Sequence, residues 1–239
     1  MGAAATRAPA EDGRFAVYFA PAEGSRLADL GRRWLGRPGA DAHPPPTLPG
    51  LSAGRLSALT ESPRHYGFHG TLKPPFRLAR GRSGAELAHT LDSFAAQTRG
   101  FELPPFEVAA LGRFLALVPS QPCPRLDALA EACVRHFDAF RAPPPPDETL
   151  RRRAAGLSER QERLLDLWGY PYVMEEFRFH LTLTGPINDA DDRRTVKAYL
   201  EALAAPACAE PTRLDALSLF WQPDSATPFR PLSRHPLGE

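Results

Sequence analysis

One short pattern occurs twice in this chain, about 110 residues apart: Phe68-His69-Gly70-Thr71-Leu72-Lys73-Pro74-Pro75 and Phe179-His180-Leu181-Thr182-Leu183-Thr184-Gly185-Pro186. Five of the eight positions are identical. Upstream, Arg14-Phe15 opens an apolar run ending at Pro21, and Arg113-Phe114 opens another ending at Pro119; a segment of helical period follows each. Downstream, a further helix leads to Phe106-Glu107 in one case and Leu214-Asp215 in the other. Matches that recur in one order mark an internal duplication of the unit strand, helix, strand with HxT, helix, strand. The expected fold is therefore α+β and bilobal, with two lobes related by a pseudo-twofold axis. Each lobe is an antiparallel β-sheet flanked by helices, and a central groove lies between them.

Proline supplies the boundaries. The 239 residues include 27 prolines, about twice the usual ~5%, and they cluster at Pro44 to Pro46 with Pro49, at Pro143 to Pro146, and from Pro223 to Pro236. This punctuation predicts a disordered start at 1–13, a loop at 37–63, a first lobe at 14–112 and a second at 113–222. An insertion at 141–175 and a loose C-terminal segment at 223–239 complete the division. With 43% hydrophobic and 24% charged residues, the chain is of ordinary globular composition rather than low-complexity or coiled-coil.

Charge and cysteine narrow the partners. A formal net charge of +1 lacks the field that holds a long nucleic acid by its phosphates, leaving a small ligand or a nucleic-acid end. Three cysteines without CxxC spacing suggest neither a zinc site nor a disulfide framework. The start has no apolar run of a secretory signal, and no segment reaches the ~18 apolar residues of a membrane span. A cytoplasmic monomer without cofactor or metal is expected.

In a strand, residues two apart share a face. Arg178, His180, Thr182 and Thr184 then line one face while Phe177, Phe179, Leu181 and Leu183 line the other; likewise His69, Thr71 and Lys73 lie opposite Phe68, Gly70 and Leu72. Each lobe lays an imidazole, a hydroxyl and a cation along the polar face of its strand, and a twofold axis sets the two histidines across a groove. Opposed imidazoles, with ordinary pKa values near ~6.5, suit a reaction that removes one proton and supplies another. Hydrolysis of a cyclic phosphodiester has that need: water is deprotonated as it attacks phosphorus, and the departing ring oxygen is protonated on the far side. The threonines can donate to the non-bridging oxygens, and Lys73 and Arg178 add positive charge. Tyr18 stacks on a sugar or base if Phe15, Val17 and Phe19 face the core.

Paired HxT motifs in a duplicated α+β chain resemble the 2H phosphoesterase superfamily, which includes bacterial RNA 2′,5′-ligase-like proteins and cyclic phosphodiesterases. The wider wording, Tyr66 to Leu78 and Gly169 to Gly185, is similar to a bacterial branch associated with phosphonate degradation. The resemblance spans roughly Arg14 to Trp221. It implies that His69 and His180 are an acid/base pair and that Thr71 and Thr182 bind phosphate, in a metal-independent phosphodiesterase. One departure is Gly70, where the broad pattern has an apolar residue; by alternation it bears on packing. By context, 5-phosphoribosyl 1,2-cyclic phosphate is a substrate to expect, although no residue selects it over a nucleoside 2′,3′-cyclic phosphate. An RNA-end ligase or phosphodiesterase and a non-catalytic nucleotide- or phosphosugar-binding module are the rival readings.

Three other features carry weaker expectations. His65 and His69 have the i, i+4 spacing of helical metal ligands, but Gly67 argues against a helix through both. Arg151, Arg152 and Arg153, with Arg160 and Arg163, either clamp a second phosphate over the groove or form a solvated face partnered by Glu159, Glu162 and Asp166; the composition favours the solvated face. The chain contains no P-loop glycine pattern and no GxSxG elbow.

Overall fold

The computed structural model describes residues 13–36, 47–48, 50–209 and 211–239. The expected disordered start, Gly13 apart, and the clustered prolines 44–46 and 49 lie outside the described residues. Among the described residues nine strands form two antiparallel sheets: β1 (Arg14–Phe19), β2 (Gly70–Phe76), β3 (Phe101–Leu103), β4 (Phe106–Leu111), β5 (Phe114–Pro119), β6 (Leu181–Thr182), β7 (Thr212–Leu214), β8 (Ala216–Gln222) and β9 (Arg230–Pro236). The large sheet has the order β4-β5-β6-β2-β1-β8-β9, and β3 pairs with β7 alone.

The α+β class and the antiparallel sheets flanked by helices are as the duplication predicts. The two repeats are joined, however, into one sheet, with the two motif strands β2 and β6 as neighbours at its centre. Outward from that junction run β2-β1-β8 on one side and β6-β5-β4 on the other. Each side is completed by a strand from the other repeat: β8 of the second beside β1, and β4 of the first beside β5. The boundary at 112–113 is the β4–β5 turn, where Gly112 takes a positive φ of 60° that only glycine adopts without strain.

One face of the sheet carries the core. Phe15, Val17, Phe19, Leu72, Leu115, Leu117, Leu181, Leu217 and Leu219 pack there against the apolar stripes of four helices. These are α1 (Arg26–Leu35), α3 (Gly84–Ala96), α4 (Pro124–His136) and α7 (Ala190–Cys208). Leu27, Leu30 and Trp34 of α1, Leu87 and Leu91 of α3, and Val196 and Leu200 of α7 supply their stripes at helical spacing. Each such buried side chain contributes about 1.5–3 kcal/mol. Ser83 caps α3 in a reciprocal box with Glu86. The opposite face has a small aromatic cluster of Ala16, Tyr18, Phe220 and Phe229, with Tyr66 against it.

Three expectations are corrected. Residues 53–63 of the expected loop belong to helix α2 (Ala53–Tyr66), capped by Ser52, whose Oγ accepts from Arg55 N at 3.2 Å. Pro63, which signals a loop in sequence, lies inside it; lacking an N–H, it leaves the Leu59 carbonyl free, and Gly185 N–H donates to that oxygen at 2.6 Å. The proline thus ties α2 to the chain just past the second motif. The C-terminal segment expected to be loose contains β9, an edge strand that tolerates Pro231 opposite Phe220 at a register shift. The strand expected over 177–184 shrinks to Leu181–Thr182, because a 3-10 turn at Met174–Glu176 precedes it and the N–H groups of Leu183 and Thr184 both converge on Leu115 O. Two short helices, α5 (Pro146–Arg153) and α6 (Glu159–Trp168), fill the insertion.

Candidate active site

At the centre of the sheet Gly70 of β2 faces Leu181 of β6. In an antiparallel ladder the neighbours of a facing pair cross over, so His69 lies opposite Thr182 and Thr71 opposite His180. All four then share the face opposite the core. The pseudo-twofold axis passes through the Gly70–Leu181 pair, and the two motifs meet there. Gly70 makes the approach possible: the Phe179 ring fills the place of its missing side chain.

The histidines are anchored alike. His69 Nδ1–H donates to Gly67 O at 2.9 Å and His180 Nδ1–H donates to Arg178 O at 2.7 Å, each to the carbonyl two residues upstream. A carbonyl only accepts, so both rings carry their hydrogen on Nδ1 and keep Nε2 for other partners. Thr71 Oγ1 lies 3.3 Å from His69 Nε2. Burial holds both imidazoles below the ordinary histidine value; His69, with His180 adding repulsion, falls to about 4 despite its bond to Gly67. In the unliganded protein both rings are therefore neutral near pH 7, with two Nε2 lone pairs able to take up a proton from, or return one to, a group held between them.

The surroundings of the two rings differ. Thr71 is flanked on β1 by Tyr18, whereas Thr182 is flanked on β5 by Ala116. Tyr18, 1% exposed, stacks on His69 with centroids 3.7 Å apart and planes at 17°. Phe220 lies 6.2 Å from the same ring, while His180 has Phe114 at 5.6 Å. Tyr18 thus lies on the expected face, but its ring covers the histidine and is itself buried.

Lys73 and Thr184 depart from the expected alternation. Thr71 pairs with Tyr18, but Lys73 pairs with Val17, so a bulge between them turns Lys73 over to the core face. Its ammonium, 2% exposed, donates to Val134 O at 3.0 Å, lies 3.7 Å from Asp138, and is pushed down to about 8 by burial. Thr184, 1% exposed, accepts from Leu115 N at 3.0 Å as a structural bond. Arg178 is exposed, beyond the end of β6.

Beyond the expected site residues, the fold brings two arginines and two tyrosines to this face, of which only Arg152 carries a binding role in the sequence reading. Arg14 of β1 lies over the Phe229 ring at 5.5 Å, and Arg152 of α5 over Tyr170 at 4.6 Å. Arg14, Tyr66 and Tyr170 all surround the Tyr18 phenol, whose pKa burial pushes up. Of the arginine run, Arg153 pairs with Glu162 and Asp166, and Arg160 with Glu175, as a solvated face would; Arg152 turns inward. Among the described residues no three His, Cys, Asp or Glu side chains are grouped to hold a metal ion.

A family profile described as protein of unknown function (DUF1045) matches residues 71–230. The chain belongs to this family. Similar proteins include the ribose 1,5-bisphosphate phosphokinase PhnN of Janthinobacterium sp. (strain Marseille), 40% identical over 228 residues, and that of Laribacter hongkongensis, 39% identical over 223 residues. These matches cover 93% and 91% of this chain and 50% of each relative. The chain therefore spans about half the length of those relatives. Among solved structures, E. coli LigT complexed with ATP aligns over 96% of this chain and 100% of its own, with 14% identity and a TM-score of 0.43. A crystal structure of a phosphoesterase aligns over 95% and 99%, also with 14% identity and a TM-score of 0.43.

Proposed function

We propose that this DUF1045 protein hydrolyses a small cyclic phosphodiester by a 2H-type mechanism. The observation that carries the reading is the Gly70–Leu181 pair, which sets His69 against Thr182 and His180 against Thr71 on one face. Thr71 and Thr182 donate to the non-bridging oxygens of a phosphate seated over the pair. His69, stacked under Tyr18 and held neutral, takes a proton from water as its oxygen bonds to phosphorus. The bond from phosphorus to the ring oxygen breaks on the other side, and His180 delivers a proton there from Nε2. The bound anion raises the pKa of His180 so that it enters the cycle protonated. His69 then loses its proton to solvent and His180 regains one.

The two relatives are named ribose 1,5-bisphosphate phosphokinases, and that name supports a ribose phosphate as the substrate class here. Those proteins are twice as long, and this chain has no P-loop pattern, so the phosphokinase activity is not carried over. A ribosyl cyclic phosphate, such as 5-phosphoribosyl 1,2-cyclic phosphate, agrees with both the site and the names. A nucleoside 2′,3′-cyclic phosphate uses the same chemistry. The deciding experiment is a turnover panel of both classes in the presence of EDTA, with phosphomonoester release as readout. Turnover that is insensitive to EDTA and lost in His69→Ala and His180→Ala supports the reading. No turnover of any cyclic phosphate, with tight binding retained, favours a non-catalytic phosphosugar module.

A further inference from the structure

At the far end of β1 and β2 from the histidines, the ladder brings two arginines together. Phe15 faces Phe76 on the core side. One residue further along this register Arg14 lies opposite Arg77, both toward the face that carries Tyr18. Like charges directly opposite each other destabilise a sheet. Among the described residues neither guanidinium has a carboxylate within ion-pair distance. Arg14 is instead clamped by a neutral group, with Nε donating to Gln222 Oε1 at 2.8 Å and Nη2 to the same oxygen, which fixes its position and leaves its charge.

These two line a cavity of about 500 Å³ with Arg151 and Arg152 of α5, the carboxylates of Asp147, Glu148 and Asp224, and Ser225. Two of the carboxylates hold two of the arginines, which leaves Arg14 and Arg77 uncompensated against the single remaining charge of Asp224. Asp147 pairs with Arg151 at 3.3 Å and Glu148 with Arg152 at 2.6 Å. Asp224 accepts from the backbone of Ala226 and Thr227 and from the Thr227 hydroxyl. Arg152 Nε is a buried donor with no acceptor among the described residues. Helix α5 buries no side chain, so an apolar face does not account for its seat over this cavity.

We infer that the Arg14–Arg77–Arg151–Arg152 cavity binds a second phosphate, and that the substrate of the histidine pair is a small cyclic phosphate carrying a phosphomonoester at its other end. This rests on the hydrolase reading above. Arg14 and Tyr18 are four residues apart on β1, or about 13 Å between Cα atoms at ~3.3 Å per residue. The Arg14 guanidinium lies over the Phe229 ring, which itself packs against Tyr18, so the cavity adjoins the histidine face and the two ends of one small sugar phosphate can address both. Planar guanidinium groups suit a terminal phosphate, whose oxygens they grip two at a time.

The test compares adenosine 2′,3′-cyclic phosphate with its 5′-phosphorylated form. Wild type is expected to show a KM at least tenfold lower for the 5′-phosphorylated compound. In Arg77→Gln and in Arg151→Gln that ratio falls toward one, while Arg194→Gln, on the exposed side of α7, keeps it. A ratio near one in wild type, or one that persists in both cavity variants, overturns the proposal. If neither compound is turned over, the hydrolase reading is decided by the full panel of cyclic phosphates, and calorimetry tests the cavity by itself. Adenosine 3′,5′-bisphosphate should bind at least tenfold tighter than 3′-AMP, in a manner lost in Arg77→Gln; equal affinities overturn it.

Discussion

The ring of Phe179 occupies the space that a side chain on Gly70 would need, since a Cβ there would lie 2.3 Å from Phe179 Cζ. Both residues adjoin a catalytic histidine of the proposed mechanism, so packing and chemistry meet at one contact. Gly70→Ala is expected to destabilise the fold by about 1–3 kcal/mol through overpacking. Adding Phe179→Leu should restore at least half of the loss, as read by chemical denaturation. An alanine variant as stable as wild type would remove this account of the glycine.

Each histidine is expected to matter on its own. His69→Ala and His180→Ala should each lower kcat by about 10²–10⁴-fold on whichever cyclic phosphate the panel identifies. Thr71→Val and Thr182→Val should each lower it by about 10²-fold. Steady-state kinetics on variants with unchanged circular dichroism checks this. One histidine proving dispensable would contradict a paired mechanism.

Burial holds His69 at about 4, and this has a measurable sign. An unfolded chain takes up a proton near ~6.5 that the folded protein resists until about 4. Falling pH through that window therefore favours unfolding, and above it the group contributes nothing to the pH dependence. NMR titration should place the His69 midpoint well below that of a free imidazole. Tyr18→Leu, which uncovers the ring, should move it upward, as should added inorganic phosphate. An ordinary midpoint in wild type would show that the stack does not desolvate His69.

Lys73 offers a contrast with its neighbours. Since its ammonium is spent on Val134 O and Asp138 inside the protein, Lys73→Met should leave KM within about twofold. Removing one partner of a buried pair costs stability, here by depriving Val134 O of its donor while Asp138 keeps Arg141 at 2.7 Å, so the kinetics are read on protein shown to be folded. A large rise in KM with the fold intact would return Lys73 to the groove.

The sequence made the repeat legible because identical residues recur in one order, and it made the polar face legible because strands alternate. It misplaced what a bulge reverses, as at Lys73, and what a third element decides. Pro63 reads as a loop until the Leu59 carbonyl finds Gly185 N–H. The Arg14-Phe15 and Arg113-Phe114 matches mislead by one residue. The pairing sets Tyr18 and Ala116 at equivalent places, which is the alignment given by Pro21 and Pro119. That shift is why the aromatic cover over one histidine alone was not visible from the motifs. Arg77 had no local signal, because its partner in the ladder lies 63 residues earlier in the chain.

The exchange of β4 and β8 between the two sides of the sheet has a consequence for how the molecule is made. Neither repeat can satisfy the open edge of its own inner strand, since β1 waits for β8 and β5 relies on β4. The first half is made with an unpaired edge on β1 that β8, in the second half, covers. Expressed separately, the two halves should be insoluble or should find each other, because each carries the strand that the other lacks.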